Sequence, residues 1–249
     1  MRIFAVSDIH LDYDLNVDWL LNLSKFDYQD DILILAGDIS DAPRLLELCF
    51  KNLATRFKKV LYVPGNHDLW VFRTHEPTSL EKYTRVRDIA GAAGVSMEPF
   101  HQGSLSIVPL LSWYDYSFGL PSDELRQVWM DFKACTWPPN FDITQYFLNK
   151  NIPFLEIQNG TVISFSHFLP RIDVMPPYIP ASKRMLYPIL GTELLDQQIR
   201  KLKPSIHVYG HSHVNRRVFI EDICYINNAF GYPSETRITA KKLMCIFET

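Results

Sequence analysis

Short apolar runs that each close on a polar cluster recur along the chain. Ile32-Leu33-Ile34-Leu35-Ala36 is too short for a helix and suits a strand buried on both faces. It stops at Gly37 and then presents Asp38, at the strand end where open α/β sheets place their ligands. Alone, Asp38 reads either as a metal-bridging carboxylate or as the solvated start of a loop. Residues 3–6 form an earlier strand that runs into Ser7-Asp8-Ile9-His10, and residues 60–63 lead to Pro64-Gly65-Asn66-His67-Asp68. Residues 161–166 end at His167, and residues 206–209 end in Gly210-His211-Ser212-His213. Side chains two apart on a strand point the same way, so Asp8 and His10 can reach one ion, and His211 and His213 share a face.

Between these strands the pattern predicts helices over 17–24, 42–57 and 192–201. Asp41 precedes the second of these, with Pro43 in its first turn, which is N-cap chemistry. Thr78-Ser79-Leu80-Glu81 is a capping box opening a helix to about residue 91. Residues 95–97 and 105–113 read as strands of a next layer, and 216–226 and 242–247 as β-rich, with a turn near Glu221-Asp222. The segment 113–160 is crowded with aromatics and predicts a helix over 122–135, broken by Trp137-Pro138-Pro139. It reads as an insertion whose rings form a small satellite core rather than a surface for stacking a base. A proline-rich loop over about 169–190 carries Arg171, Lys183 and Arg184 and suits a pocket wall. The whole of 1–249 reads as one α/β domain.

Composition narrows the function. With 249 residues, 47% hydrophobic and 21% charged, the chain is an ordinary folded protein. A net charge of −3 with dispersed Lys and Arg speaks against a nucleic-acid partner and against a membrane surface. Cys49, Cys135, Cys224 and Cys245 lack paired spacing and read as reduced thiols. With the first strand at residue 3, no leader is expected and no stretch spans a bilayer, so a soluble, cytoplasmic protein is expected. His75, His101 and His207 fall outside ligand-like spacing; the first two read as surface or loop residues and the third as a core residue.

Five of the eight histidines sit in the strand-end clusters, with two aspartates, Asp8 and Asp38, and one asparagine, Asn66, as co-ligands. Imidazole, carboxylate and amide oxygen without thiolate suit a pair of borderline divalent ions such as Mn, Fe or Zn.

Asp8-Ile9-His10, Gly37-Asp38, Gly65-Asn66-His67-Asp68, a later His167 and Gly210-His211-Ser212-His213 together resemble the calcineurin-like metallophosphoesterase superfamily. The blocks occur in the family's order between residues 8 and 213, and the segments between them are not covered. The resemblance implies a four-layer αββα sandwich of two mixed β-sheets flanked by helices, with a metal site at the strand ends. It implies that Asp8, His10 and His213 hold a first ion, that Asn66, His167 and His211 hold a second, and that Asp38 bridges them. The implied activity is attack of a metal-bound hydroxide on a phosphomonoester, phosphodiester or nucleotide pyrophosphate bond, with a small phosphorylated substrate, nucleotides included. His67 matches the family's catalytic histidine, a general acid protonated near neutral pH. Asp41 matches the carboxylate that orients that histidine in the protein-phosphatase branch, and the N-cap reading stands beside it. Asp68 reads as a brace of its loop.

One departure matters. Protein serine/threonine phosphatases carry an Arg where this chain has Ala42, which counts against a phosphoprotein substrate; Arg171 or Arg184 could replace it from the proline-rich loop. The competing reading is a non-catalytic scaffold or binding protein on the same fold, but every ligand position here holds a competent donor. A nuclease is disfavoured by the charge balance.

Overall fold

A computed structural model of the chain describes residues 1–156 and 160–248. Its strands are β1 (Arg2–Val6), β2 (Ile32–Leu35), β3 (Lys59–Tyr62), β4 (Phe100–Gln102), β5 (Leu105–Pro109), β6 (Thr161–Phe165), β7 (Ile206–Tyr209), β8 (Arg216–Ile220), β9 (Ile223–Asn227) and β10 (Met244–Glu248). Its α-helices are α1 (Asp14–Asn22), α2 (Pro43–Ala54), α3 (Ser79–Ala92), α4 (Asp123–Val128), α5 (Asp131–Ala134), α6 (Ile143–Asn151) and α7 (Glu193–Leu202).

Two mixed sheets result. The first runs β10-β1-β2-β3, parallel except for β10 against β1. The second runs β4-β5-β6-β7-β9-β8, parallel at its centre with antiparallel edges. Parallel strands need cover on both faces, and alternation supplies it. Ile3, Ala5, Ile32, Ile34 and Leu61 join a core with Ile107, Ile163 and Val208 of the second sheet. Phe4, Val6, Leu33, Leu35, Val60 and Tyr62 turn the other way, onto Leu46, Cys49, Phe50 and Leu53 of α2. Each such side chain contributes about 1.5–3 kcal/mol when fully buried. On the far side α7 buries Leu195, Ile199 and Leu202. The layers are helix, sheet, sheet, helix, and the parallel centres of both sheets open their carboxyl ends onto one region.

Several local expectations are corrected. Residues 95–97 do not join the next layer: Ser96 bridges Leu61, extending the first sheet beyond β3. β5 stops at Pro109 rather than reaching residue 113, because the Asn151 side chain takes over the backbone N–H and C=O of Leu111 at 2.8 and 2.7 Å. The helix expected over 122–135 is split into α4 and α5, with Trp129 extended between them (ψ 122°). The aromatics of 113–156 form no separate satellite: Trp113, Tyr114 and Phe147 belong to the main core beside Phe168, with Leu125 among them. Residues 157–159 of that segment lie outside the described residues. The helix opened by the Thr78–Glu81 capping box is present as α3. Of the thiols, all free, Cys49 and Cys224 are buried and Cys245 is exposed. His207 is a core residue between the hydroxyls of Ser164 and Ser166. No described helix is long and apolar enough to cross a membrane.

Candidate metal centre

The strand ends throw their polar residues together through backbone that few residues adopt. Asp8, His10, Asp38, His211 and His213 all have positive φ, between 45° and 65°. Left-handed backbone at a non-glycine costs about 1–3 kcal/mol and persists only where the surroundings impose it. They do so here: Asp8 N–H donates to the Gly37 carbonyl at 2.8 Å, His10 N–H to that of Asp38 at 3.1 Å, and Gly210 N–H to that of His167 at 2.9 Å. Gly65 permits the closest approach, since a Cβ there would stand 2.1 Å from Asp38 Oδ1.

Two groups of donors converge. Asp8, His10, Asp38 and His213 form one, and Asp38, His167 and His211 the other, with the ligand atoms of each within 4.8 Å of one another and every residue buried. In the first, His213 Nε2 lies 3.1 Å from His10 Nε2 and 3.2 Å from Asp8 Oδ1. In the second, His167 Nε2 lies 3.2 Å from His211 Nδ1 and 3.1 Å from Asn66 Oδ1. Asp38 belongs to both. Its Oδ1 accepts the His67 backbone N–H at 2.9 Å, and its Oδ2 stands 3.5 Å from His167 Nε2 and 4.0 Å from His10 Nε2.

The outward nitrogens are already assigned. His167 Nδ1 faces the Ala36 carbonyl at 2.9 Å, His211 Nε2 the Ile189 carbonyl at 3.0 Å, and His213 Nδ1 the Glu235 carboxylate at 2.7 Å. An imidazole that donates on one side presents a lone pair on the other, which is the tautomer a metal needs. Burial, then the charges of Asp8 and Asp68, push the Asp38 carboxyl well above its usual range. Burial opposes charge on His213, but Asp8 and Glu235 outweigh it and raise the imidazole to about 10, so the side of its ring facing Asp8 favours a cation, a proton or a metal ion alike. Nitrogen and oxygen donors in two groups sharing a carboxylate fit a pair of borderline divalent ions.

Around this centre, Asp68 accepts the backbone N–H groups of Asp38, Ile39, Ser40 and Gly65 and the Tyr62 hydroxyl, at 2.8–3.1 Å. It ties the Gly37-Asp38 loop to the Gly65-Asn66 loop. His67 stands with Nε2 4.0 Å from Asp38 Oδ2, its ring stacked on Trp70 at 3.7 Å. Burial, then His213 and His167, lower it to about 3, so its surroundings oppose the proton expected on it at neutral pH.

Asp41 goes elsewhere. The N-cap of α2 is Ala42, without a side-chain cap, and the hydroxyl of Ser40 takes the Ala42 N–H at 3.1 Å. Both Asp41 oxygens engage Arg73, Nε at 2.8 Å, and Arg73 also reaches Asp12 at 2.6 Å. Arg171 pairs with Asp173, and Arg184 donates to the carbonyls of Ile179 and Pro177. Neither loop cation stands in for the arginine missing at Ala42. Arg73 is near enough for its charge to help lower the His67 imidazole.

A cleft of about 180 Å³ opens over the donors, walled by Trp129, Leu186 and Tyr232. Leu186 comes from the proline-rich loop, whose Ile189 carbonyl also holds His211. Glu235, Trp129 and Asp131 escape a reading by motif. Glu235 lies in a loop without spacing to any cluster, and Asp131 is one of several acids in the aromatic segment. The only trace of the latter is the need of Trp70 and Trp129 for an acceptor for their indole N–H groups. Glu235→Ala is expected to weaken ion binding at the Asp8–His10–His213 group about 10–100-fold. Chelator competition on the purified protein would measure this, and the Asn66–His167–His211 group should be spared.

Comparison with known proteins bears on the chemistry. The sequence matches the calcineurin-like phosphoesterase profile over residues 1–215. It is 26% identical over 262 residues to the [acyl-carrier-protein] phosphodiesterase PptH of Mycobacterium tuberculosis, covering 94% of this chain and 79% of that protein. It is 22% identical to an uncharacterized protein of Acanthamoeba polyphaga mimivirus, covering 94% of this chain and 93% of the other. The crystal structure of the phosphopantetheinyl hydrolase PptH from Mycobacterium tuberculosis superposes with a TM-score of 0.81 at 23% identity, over 100% of this chain and 96% of that one. The chain belongs to the calcineurin-like phosphoesterase family and is a metal-dependent phosphoric ester hydrolase.

Proposed function

We propose that the chain hydrolyses the phosphodiester joining a phosphopantetheinyl group to a carrier protein. One observation carries the reading: the likeness to the acyl-carrier-protein phosphodiesterase extends over 94% of the chain. The cleft is consistent with it. Pockets that enclose a whole small ligand measure about 300–1,000 Å³. A cleft of about 180 Å³ takes a phosphate and leaves both ester arms outside, as a substrate with a protein on one arm requires.

Asp8, His10 and His213 are assigned to a first divalent ion, Asn66, His167 and His211 to a second, and Asp38 to both. Two ions there would polarise the phosphoryl oxygens and supply a hydroxide nucleophile near neutral pH. The residues do the rest. Asp38 holds the two groups in register through Oδ2 while its Oδ1 fixes the His67 backbone. His67 faces the leaving oxygen from its seat on Trp70 and donates to it. The negative phosphate raises the affinity of His67 for a proton once substrate is bound. Asp41 acts by holding Arg73, whose positive charge reaches His67.

The test is to incubate a carrier protein bearing its phosphopantetheinyl group with the Mn-loaded protein and follow the carrier by mass spectrometry. Release of the arm, leaving the unmodified carrier, is the expected result. An intact carrier, alongside rapid turnover of a phosphomonoester, cyclic nucleotide or dinucleotide in a parallel panel, would replace this reading with a small-molecule one.

A further inference from the structure

We infer that Asp131, supplied by the aromatic segment, is a positioning residue for the second ion, fixing which atom Asn66 offers to it. Asp131 is 2% exposed. Its Oδ1 accepts the Asn66 Nδ2–H at 2.9 Å and the Trp70 indole N–H at 2.7 Å, and its Oδ2 accepts the Trp129 indole N–H at 2.8 Å. The Tyr114 hydroxyl donates as well. An asparagine amide has two faces of nearly equal shape, and only the oxygen can ligate a cation. With Nδ2 consumed by a carboxylate, Oδ1 has to point inward, where it lies 3.1 Å from His167 Nε2. An acceptor-only group is the right chemistry for this, because a residue able to donate would allow the amide to turn over.

The same carboxylate governs a second element. The Trp70 ring it holds is the one stacked on His67. The backbone between α4 and α5 opens so that Trp129 and Asp131 meet this cluster, which accounts for the split in the expected helix. The aromatic segment therefore works as the outer support of the Asn66–His167–His211 group.

The test uses metal alone, so it is independent of the substrate proposed above. Mn(II) is titrated into metal-stripped wild type, Asp131→Asn, Asn66→Asp and the double variant, with bound metal counted by elemental analysis. Asp131→Asn should keep the first ion and weaken the second about 10–100-fold, the range for losing a partner that orients a ligand. Asn66→Asp places a charged ligand at the site yet should also weaken the second ion, since the new carboxylate faces that of Asp131. The double variant should recover binding, because the amide then sits at position 131 and donates inward. That reciprocity is not produced by loss of packing. Two ions at wild-type affinity in Asp131→Asn, equal weakening of both ions, or tighter binding of the second ion in Asn66→Asp would each overturn the assignment. If Asp131→Asn does not fold, Asn66→Asp, in which Asp131 is intact, decides alone.

Discussion

Asp38→Asn should leave a folded protein that holds less metal and has lost almost all turnover. Asp38 Oδ2 is placed toward both donor groups, 3.5 Å from His167 Nε2 and 4.0 Å from His10 Nε2. An amide keeps the volume but offers a neutral oxygen in place of an anion. It also sets an N–H₂ either against the ions or against the His67 backbone N–H, which now donates to Oδ1. Losing ~4 kcal/mol of Lewis-acid stabilisation corresponds to about 10³-fold in rate. Bis-p-nitrophenyl phosphate hydrolysis and elemental analysis on the same preparation would check both halves. The substitution also relieves the repulsion among Asp8, Asp38 and Asp68, so the metal-free variant should melt no lower than metal-free wild type. Wild-type turnover in this variant would remove the bridging role.

His67→Ala comes next in size. Hydrogen bonding or proton transfer to a leaving oxygen is worth about 10²–10⁴-fold. A p-nitrophenolate leaves without a proton and an alkoxide does not, so the loss should be large on alkyl esters and small on p-nitrophenyl esters, with metal content unchanged. The pH profile has a defined sign. In the metal-free protein burial, then His213 and His167, lower His67 to about 3, which favours its neutral form. A bound phosphate shifts it back toward the protonated form. A falling alkaline limb that depends on His67 should therefore show in kcat for poor leaving groups and be missing from kcat with p-nitrophenyl esters. Equal losses on both ester classes would leave His67 with a purely structural part.

The sites that could be read from sequence share a cause. Asp8, His10, Asp38, Asn66, His67, His167, His211 and His213 each follow a short apolar run directly, so the strand both announces the residue and delivers it. The limits have causes as well. Whether residues 95–97 extend one sheet or found another depends on a long-range bridge, Ser96 to Leu61, which no periodicity encodes. Asp41 has the neighbours of an N-cap, but a guanidinium 32 positions later competes for it and wins. Trp129 sits in a helical pattern and is pulled out of it by an acceptor two residues on. Glu235 and Asp131 meet His213 and Asn66 through space, and a residue that only contacts another across the fold leaves no spacing of its own.

The antiparallel pairing of β10 with β1 also bears on how the chain could be shortened. The family profile ends at residue 215, yet the strand carrying Asp8 and His10 at its end is zipped along its outer side by Met244–Glu248. Trimming the protein to its recognisable portion would strip that border, bare a row of unpaired amides and carbonyls, and invite other copies to stick there. It would also take away Glu235. The residues after 215 and the strand ends that carry Asp8 and His10 thus have to be expressed and engineered as a single piece.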